Sequence, residues 1–238
     1  MVALELAVQD LEGIAIASRV GADRIELCSA LSVGGLTPSL ALVEAAAAAP
    51  VAAHVLIRPR AGGFGYTAEE RAVIVRDLRH VLAAGAAGVV VGGTSDGGVD
   101  AELLRAVTDA AGPAPITFHR AFDTLGDRIG ALDVLVQLGV SRVLTSGGAA
   151  SAVEGRGELT RLVRHAAGRI EIMAGGGVVA ANVSLVVATG VDAVHASAKR
   201  VVAGSGIHLG SAGESVRETT DEELAGRLRA ILDGARRV

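Results

Sequence analysis

The sequence predicts a single-domain (β/α)8 barrel of the TIM type, from its length, its alternation of strand and helix patterns, and a repeated glycine motif. The chain has 238 residues, within the range of about 200–250 that one α/β barrel occupies. Half of its residues are hydrophobic but only 2% are aromatic. The core is therefore built from Ala, Val, Leu and Ile, the residues that dominate parallel strands buried on both faces.

Short apolar segments rich in β-branched residues alternate with longer amphipathic segments along the chain. This alternation is typical of βαβ units, which form parallel sheets. Eight strand segments in 238 residues leave about 30 residues for each unit, as a βαβ repeat requires. The predicted strands are residues 2–8, 24–27, 51–57, 88–91, 115–118, 142–144, 170–173 and 193–195.

A five-residue pattern occurs four times, starting at Gly21, Gly85, Gly139 and Gly190. Each copy has Gly, then Ala or Val, two variable positions and a β-branched residue. Glycine can end a helix in the left-handed conformation, and the β-branched residue then begins a strand. The copies precede the second, fourth, sixth and eighth predicted strands, which fits four pairs closing a barrel. An open doubly wound sheet is the alternative architecture.

Several polar residues are placed to begin helices. Thr37 precedes Pro38, as an N-cap before a proline at the first helical position does. Thr67 and Glu70 have the spacing of a capping box. Further caps are predicted at Asp10, Asp100 and Asp127. The predicted organisation is a barrel over 1–200, followed by a C-terminal extension over 201–238, a loop and a helix (221–236) packed on the barrel.

Charge and composition exclude several classes of function. The net charge is −4, without the basic stripe expected of a nucleic-acid-binding protein. No apolar stretch reaches the roughly 20 residues of a membrane span, so we expect no membrane partner. The first residues form a strand pattern containing Glu5 rather than a signal peptide. Cys28 is the single cysteine and has no internal disulfide partner, so a cytoplasmic protein is expected.

Polar residues follow or occupy nearly every predicted strand near its carboxyl end, where barrels of this type carry their active sites. Glu26 and His119 are candidates for proton transfer, and Asp123 is placed to orient His119. Arg58 and Arg60 present guanidinium groups suited to a carboxylate or phosphate. The remaining candidate ligand-binding residues are Glu5, Thr145, Ser146, Gly175, Gly176, Gly177, His195 and Ser197.

These residues favour an enzyme, or a binder, for a small phosphorylated or carboxylated molecule. Gly175, Gly176 and Gly177 follow the seventh strand, where backbone N–H groups of barrels bind phosphate. Each feature also has a purely structural interpretation. Glu5 and Glu26 could pair with Arg58 or Arg60 to fill the barrel mouth, His119 could be a hydrogen-bonded structural residue, and the three glycines could form a tight turn. A catalytically inactive scaffold is the third hypothesis.

A metal site has less support from the residues. No spacing typical of zinc ligands is present. Copper(I) selects thiolate and thioether ligands, and the chain offers only Cys28, Met1 and Met173. A copper(I) site within one chain is therefore not favoured, unless two Cys28 thiols meet across a dimer.

Six motifs together resemble the CutC family over residues 2–200. They are ADRIELCS (22–29), GGLTPS (34–39), IRPR (57–60), TFHRAFD (117–123), LTSG (144–147) and GGGV (175–178). The resemblance implies a cytoplasmic TIM-type barrel, often a homo-oligomer, that acts in copper homeostasis with cysteines as copper(I) ligands. Cys28 then becomes the candidate metal ligand.

The sequence departs from the family pattern at two places. Ala7 stands where a second cysteine is common, which weakens a two-thiolate copper site. The segment after Arg60 reads Ala61-Gly62-Gly63-Phe64 where Gly-Gly-Asp-Phe is usual, which removes one acidic group from the predicted pocket.

Overall fold

The computed structural model describes residues 2–203 and 216–234 and has a closed barrel of eight parallel strands at its centre. β1 pairs with both β2 and β10, which closes the sheet and excludes the open alternative. All eight predicted strands are confirmed. In chain order the strands are β1 (Ala3–Val8), β2 (Arg24–Leu27), β3 (Ala52–Leu56), β4 (Gly88–Val91), the hairpin strands β5 (Thr94–Ser95) and β6 (Gly98–Val99), β7 (Ile116–Phe118), β8 (Arg142–Thr145), β9 (Glu171–Ala174) and β10 (Ala193–Ala196).

Helices connect the strands and cover the outside of the barrel. Among the described residues none of them is long and apolar enough to cross a membrane. The helices are α1 (Leu11–Arg19), α2 (Leu40–Ala47), α3 (Ala68–Ala83), α4 (Ala101–Ala111), α5 (Arg128–Gln137), α6 (Arg156–Ala166), α7 (Val183–Val187) and α8 (Glu222–Gly234).

Of the five N-caps predicted from the sequence, four are confirmed. Side chains of Asp10, Asp100 and Asp127 accept N–H bonds at the starts of α1, α4 and α5, and Thr67 begins α3 with a complete capping box. The cap predicted at Thr37 is wrong. Ser39 caps α2 instead, because the Thr37 hydroxyl accepts the backbone N–H of Arg58.

The glycine repeat also behaves as predicted. Gly21, Gly85, Gly139 and Gly190 have φ values of +70°, +97°, +74° and +88°. They follow α1, α3, α5 and α7 and precede β2, β4, β8 and β10. Each copy of the motif therefore marks the change from helix to strand.

The C-terminal extension contains a hairpin in addition to the predicted helix. β11 (Lys199–Ala203) pairs antiparallel with β12 (Val216–Thr220), where the sequence predicted a loop. α8 begins at Glu222 and contacts α1, α7 and β1. The predicted loop and helix residues 204–215 and 235–238 lie outside the described residues. The division of the chain at residue 200 stays a prediction.

The barrel interior is polar at its centre, although such interiors are usually filled by Val, Ile and Leu. Alternate residues of β1, such as Leu4 and Leu6, pack outward into the main apolar cluster beneath the helices. The intervening strand positions face the barrel axis. Several of these carry buried polar side chains, namely Glu5, Arg24, Glu26, His54, Thr117 and Arg142.

Candidate functional site

A cavity of about 730 Å³ opens at the end of the barrel where the strand carboxyl ends meet. It lies where the sequence predicted the active face. Its polar lining comes from five barrel strands and the segments that follow them. The lining includes Glu26, Arg58, Phe64, His119, Arg120, Gly176, Gly177, His195, Ser197 and Lys199.

The base of the cavity holds a chain of ionisable side chains. The Nδ1 atom of His195 lies 2.8 Å from a Glu5 carboxylate oxygen, and its Nε2 atom lies 3.8 Å from Glu26. The other Glu5 oxygen accepts a bond from Arg24 Nε at 2.7 Å. Glu5 is fully buried, and Glu26 is 7% exposed. The predicted residues Glu5, Glu26 and His195 are therefore brought together.

The surroundings separate the pKa values of the two carboxyl groups. Burial raises the pKa of Glu5, but His195 and Arg24 outweigh burial and bring it to about 2. Burial raises the pKa of Glu26 to about 7 although the charge of His195 opposes it, and the charge of Glu5 adds to the effect of burial. Burial lowers the pKa of His195, but the two glutamates outweigh it and raise the pKa above its usual value. Glu26 can therefore give or accept a proton near neutral pH, with the His195 ring 3.8 Å away.

Replacing Glu26 with glutamine is expected to change how stability depends on pH. In the unfolded chain this carboxyl ionises near 4.5, and in the folded protein near 7. Its raised pKa favours folding below about pH 4.5, and that contribution is lost as pH rises to 7. Glu26→Gln removes this loss. The free energy of unfolding of the variant, relative to that of wild type, should therefore rise by roughly 1–3 kcal/mol between pH 5 and pH 8.

Urea denaturation of both proteins at pH 5 and pH 8 measures this difference. Glu44→Gln is the matched control, because Glu44 is an exposed glutamate of α2. An equal difference between Glu26→Gln and wild type at the two pH values would contradict the expectation.

Arg120 lines the cavity, although the sequence analysis did not name it among the candidate site residues. Its Nε donates to Asp123 at 2.7 Å and its Nη2 to Ser146 Oγ at 2.8 Å. A Cβ atom built on Gly176 would lie 3.1 Å from Arg120 Nη1, so this nitrogen is beside the glycine backbone. Among the described residues, Nη1 and the N–H groups of Gly176 and Gly177 donate to no acceptor. The sequence feature that could have identified Arg120 is its position three residues before Asp123, close enough for the two side chains to pair.

His119 is a buried residue of the cavity wall. Its Nδ1 atom accepts the backbone N–H of Ala121 at 3.1 Å. Burial and the nearby charge of Arg58 lower the pKa of His119 to about 4. The ring is therefore neutral at pH 7, with its proton on Nε2.

Asp123 does not orient His119, and that prediction is wrong. Its carboxylate accepts bonds from Arg120, from the Thr145 hydroxyl, and from the N–H groups of Ser146 and Gly148. Thr145 and Ser146 are fully buried by these contacts and are absent from the cavity lining among the described residues. Their roles as direct ligand contacts stay predictions, but the structure places them one layer behind Arg120.

Arg58 and Arg60 do not face the cavity as a pair. Arg58 lines it, but its Nη1 and Nη2 atoms donate to the carbonyl oxygens of Gly35 and Gly62. Arg60 donates to Gly63 and Gly65 and pairs with Glu70. The glycine-rich segment after β3 folds back, so that its carbonyl groups bind both guanidinium groups. The predicted pairing of Glu5 with these arginines is also wrong, because Arg24 takes that position.

Gly175 differs from the two glycines that follow it. Its N–H donates to the Thr145 carbonyl, and a Cβ atom there would lie 2.5 Å from Leu144. Gly175 therefore closes the strand, whereas Gly176 and Gly177 line the cavity.

Cys28 lies apart from the cavity lining. It is fully buried, packs with Leu56 and Val90, and its sulfur is 3.6 Å from the Val8 carbonyl oxygen. Burial also raises the pKa of its thiol, which disfavours the thiolate that binds metal. In this arrangement Cys28 cannot touch a second chain.

Glu5, Glu26 and His195 form the one cluster of candidate metal ligands among the described residues, with ligand atoms within 4.8 Å of one another. Both oxygens of Glu5 already have partners, Arg24 and His195. Carboxylate and imidazole groups are also not the soft ligands that copper(I) selects. The residues of this cluster therefore do not fit a copper(I) site.

Comparisons with known proteins agree with the fold and with the motifs. The sequence model of the CutC family matches residues 2–200. A Sinorhizobium medicae protein named family protein CutC is 42% identical over 234 residues, which cover 97% of this chain and 96% of that protein. The human copper homeostasis protein cutC homolog is 42% identical over 199 residues, covering 82% of this chain and 73% of that one.

Solved structures give the same result. A crystal structure of the Streptococcus agalactiae protein named CutC has a TM-score of 0.79 and 32% identity, and the match covers 83% of this chain and 99% of that one. An aldolase, QR15, has a TM-score of 0.63 at 17% identity over 81% of this chain and 89% of its own. The second likeness concerns the barrel fold alone.

Proposed function

Because this chain belongs to the CutC family, whose barrel here surrounds an ionisable cavity, we propose that it is an enzyme that moves a proton on a small phosphorylated or carboxylated molecule. One observation carries the proposal. The Glu26–His195 pair and the Arg120–Gly176 edge line the same cavity. A molecule held by its anionic group at that edge would extend toward the proton-transfer pair.

The residues divide this work between them. Arg120 Nη1 and the N–H groups of Gly176 and Gly177 bind the anionic group, since charged donors and backbone N–H groups both favour oxyanions. Glu26 gives or accepts the proton, and the charge of His195, 3.8 Å away, stabilises the ionised form of Glu26. Glu5 touches no substrate in this scheme, and it positions the His195 ring through Nδ1.

Hydrogen–deuterium exchange tests the proposal without a known reaction. The protein is incubated in D2O with a panel of phosphorylated and carboxylated small molecules, and proton NMR follows the loss of C–H signals. Wild type is expected to catalyse exchange in at least one of them. Glu26→Gln should reduce that exchange by at least about 100-fold, as loss of a general base does.

Binding of the same molecule tests the anion edge separately. Arg120→Ala is expected to weaken it by at least about tenfold, since a hydrogen bond to a charged group contributes roughly 1.5–3 kcal/mol. Arg105→Ala on the exposed face of α4 is the matched control. No exchange and no binding with any member of the panel would reject the proposal.

Copper homeostasis is the second candidate function, and the name of the human relative favours it. A cytoplasmic location and a homo-oligomer, both implied by the family, belong to the same proposal. Since the cavity residues do not fit copper(I), this role would not depend on the cavity. The resemblance implies Cys28 as the copper(I) ligand, but its thiol is fully buried and its pKa is raised by burial, so we propose that a role in copper homeostasis would not depend on direct binding at Cys28.

Replacing Cys28 with serine is expected to leave copper(I) affinity unchanged, because the thiol is buried and its pKa is raised. Anaerobic titration against a colorimetric copper(I) chelator measures the affinity of wild type and variant. A stoichiometric site that disappears in Cys28→Ser would instead assign copper binding to this residue.

A further inference from the structure

His119 offers a hydrogen-bond donor to the cavity that the proposed proton transfer leaves unused. The residue lines the cavity and is 6% exposed. Its Nε2 atom has no hydrogen-bond partner among the described residues. An unpaired buried N–H costs free energy, so a ligand group that accepts this bond would gain from it.

The tautomer follows from the local backbone. Nδ1 accepts the N–H of Ala121, at the start of the short 3-10 helix Arg120–Thr124. A nitrogen that accepts a bond cannot carry the proton, so in the neutral ring the proton is on Nε2. His119 is therefore a donor here and has no free lone pair with which to act as a base.

Packing holds the ring in this orientation. A Cβ atom on Gly92 would lie 2.4 Å from Nδ1 and 2.5 Å from Cε1, so that edge of the ring lies directly over the glycine. The ring of Phe64 is 4.9 Å away, centroid to centroid. The opposite edge of the ring carries Nε2, a buried donor without a partner among the described residues, in a side chain that lines the cavity.

His119 stands across the barrel from the proton-transfer pair. It follows β7, and β7 is four places from β1 in the closed strand order. β2 and β10, which carry Glu26 and His195, flank β1 on either side. Glu26, His195 and His119 all line the cavity of about 730 Å³ at the barrel mouth. A ligand can therefore meet Glu26 on one side and His119 on the other.

We propose that the substrate presents a carbonyl oxygen to the Nε2–H of His119, so that it is a small oxo compound with an anionic group. This deepens the proposed function and rests on it. The class comprises 2-oxo acids and phosphorylated ketones or aldehydes. A neutral imidazole is suited to this task, because it donates to an oxygen on which negative charge develops.

The reaction step balances without a further reactant. The Glu26 carboxylate takes a proton from the carbon next to the carbonyl, and the C–H electron pair forms a C=C bond. The C=O π pair moves to oxygen, where His119 Nε2–H stabilises the enolate. Return of the proton to the same carbon regenerates the carbonyl compound and completes an exchange.

Two pairs of probes test the substrate class: dihydroxyacetone phosphate with glycerol 3-phosphate, and pyruvate with lactate. Infrared difference spectra of the bound carbon-13 oxo compound give the carbonyl stretch. We expect the stretch to move to lower wavenumber in wild type and in Glu26→Gln, and to stay at its solution value in His119→Phe. Exchange of the α-protons should fall by about 100- to 1,000-fold in His119→Phe, as after loss of one oxyanion donor.

His119→Gln is the conservative variant, since its amide can still donate, and partial recovery of both signals is expected. A measurement on wild type alone tests the inference even if the His119 variants fail to fold. Nitrogen-15 NMR of the imidazoles at pH 6 should show His119 neutral and protonated on Nε2. A doubly protonated ring, or a proton on Nδ1, would overturn the inference.

The outcomes separate the two proposals. Binding of oxo compounds with an unshifted carbonyl stretch, or binding of glycerol 3-phosphate and lactate alone, overturns the role of His119 and leaves the anion edge intact. Absence of binding by all four probes overturns both.

Discussion

Replacing Asp123 with alanine is expected to lower the free energy of unfolding by about 3–5 kcal/mol, the range for removing one partner of a buried charged network. The side chain of Asp123 is 10% exposed. It accepts bonds from Arg120, Thr145, Ser146 and Gly148. Alanine leaves the Thr145 hydroxyl and the Ser146 N–H unpaired where both residues are fully buried, and it leaves Arg120 without its counter-charge.

Urea denaturation of the two proteins at pH 7 measures the loss. Asp109→Ala in α4 is the control, because Asp109 is exposed, and its effect should be within about 0.5 kcal/mol. The same network fixes Arg120, so ligands of the anion edge should bind more weakly to Asp123→Ala at temperatures where it remains folded. A loss below about 1 kcal/mol would show that Asp123 does not hold this part of the barrel together.

Replacing Glu5 with glutamine is expected to cost a similar 3–5 kcal/mol at pH 7, because it leaves the buried Arg24 guanidinium without a counter-charge. Glu5 is fully buried and contacts Arg24 at 2.7 Å. The pKa of Glu5 is lowered to about 2. Its contribution to stability is therefore present above about pH 4.5 and is lost as pH falls through 2.

A double-mutant cycle gives the measurement. Arg24→Met is also expected to destabilise the protein, but Glu5→Gln combined with Arg24→Met should cost less than the sum of the two single changes. Glu44→Gln again serves as the exposed control. Additive losses would mean that Glu5 and Arg24 do not interact energetically, and the structure of the cavity base would need revision.

Much of the fold could be predicted because its signals are local. The strands follow from β-branched runs, and the ends of four helices follow from the glycine motif. Glu26 and His195 were placed in one cavity because parallel strands bring their carboxyl ends to the same side. Arg24 shares the face of Glu26 by strand alternation, so its inward direction was available from the pattern.

The exchange of roles between Arg60 and Arg120 could not be predicted in the same way. Both arginines follow the end of a strand, where the period of two no longer applies. Arg60 turns away because carbonyl groups of its own loop bind it. Arg120 faces the cavity because Asp123 and Ser146 fix its guanidinium from behind. These outcomes depend on loop conformations that no periodic pattern records.

The position of the Glu5 contacts in the chain has a consequence for synthesis on the ribosome. Glu5 and Arg24 belong to the first two barrel strands, whereas His195 belongs to the last. A nascent chain carries the charges of Glu5 and Arg24 without His195 while about 170 further residues are made. That synthesis takes several seconds or more at 5–20 residues per second. Closure of the barrel around them is therefore expected only late in translation, after β10 has left the exit tunnel.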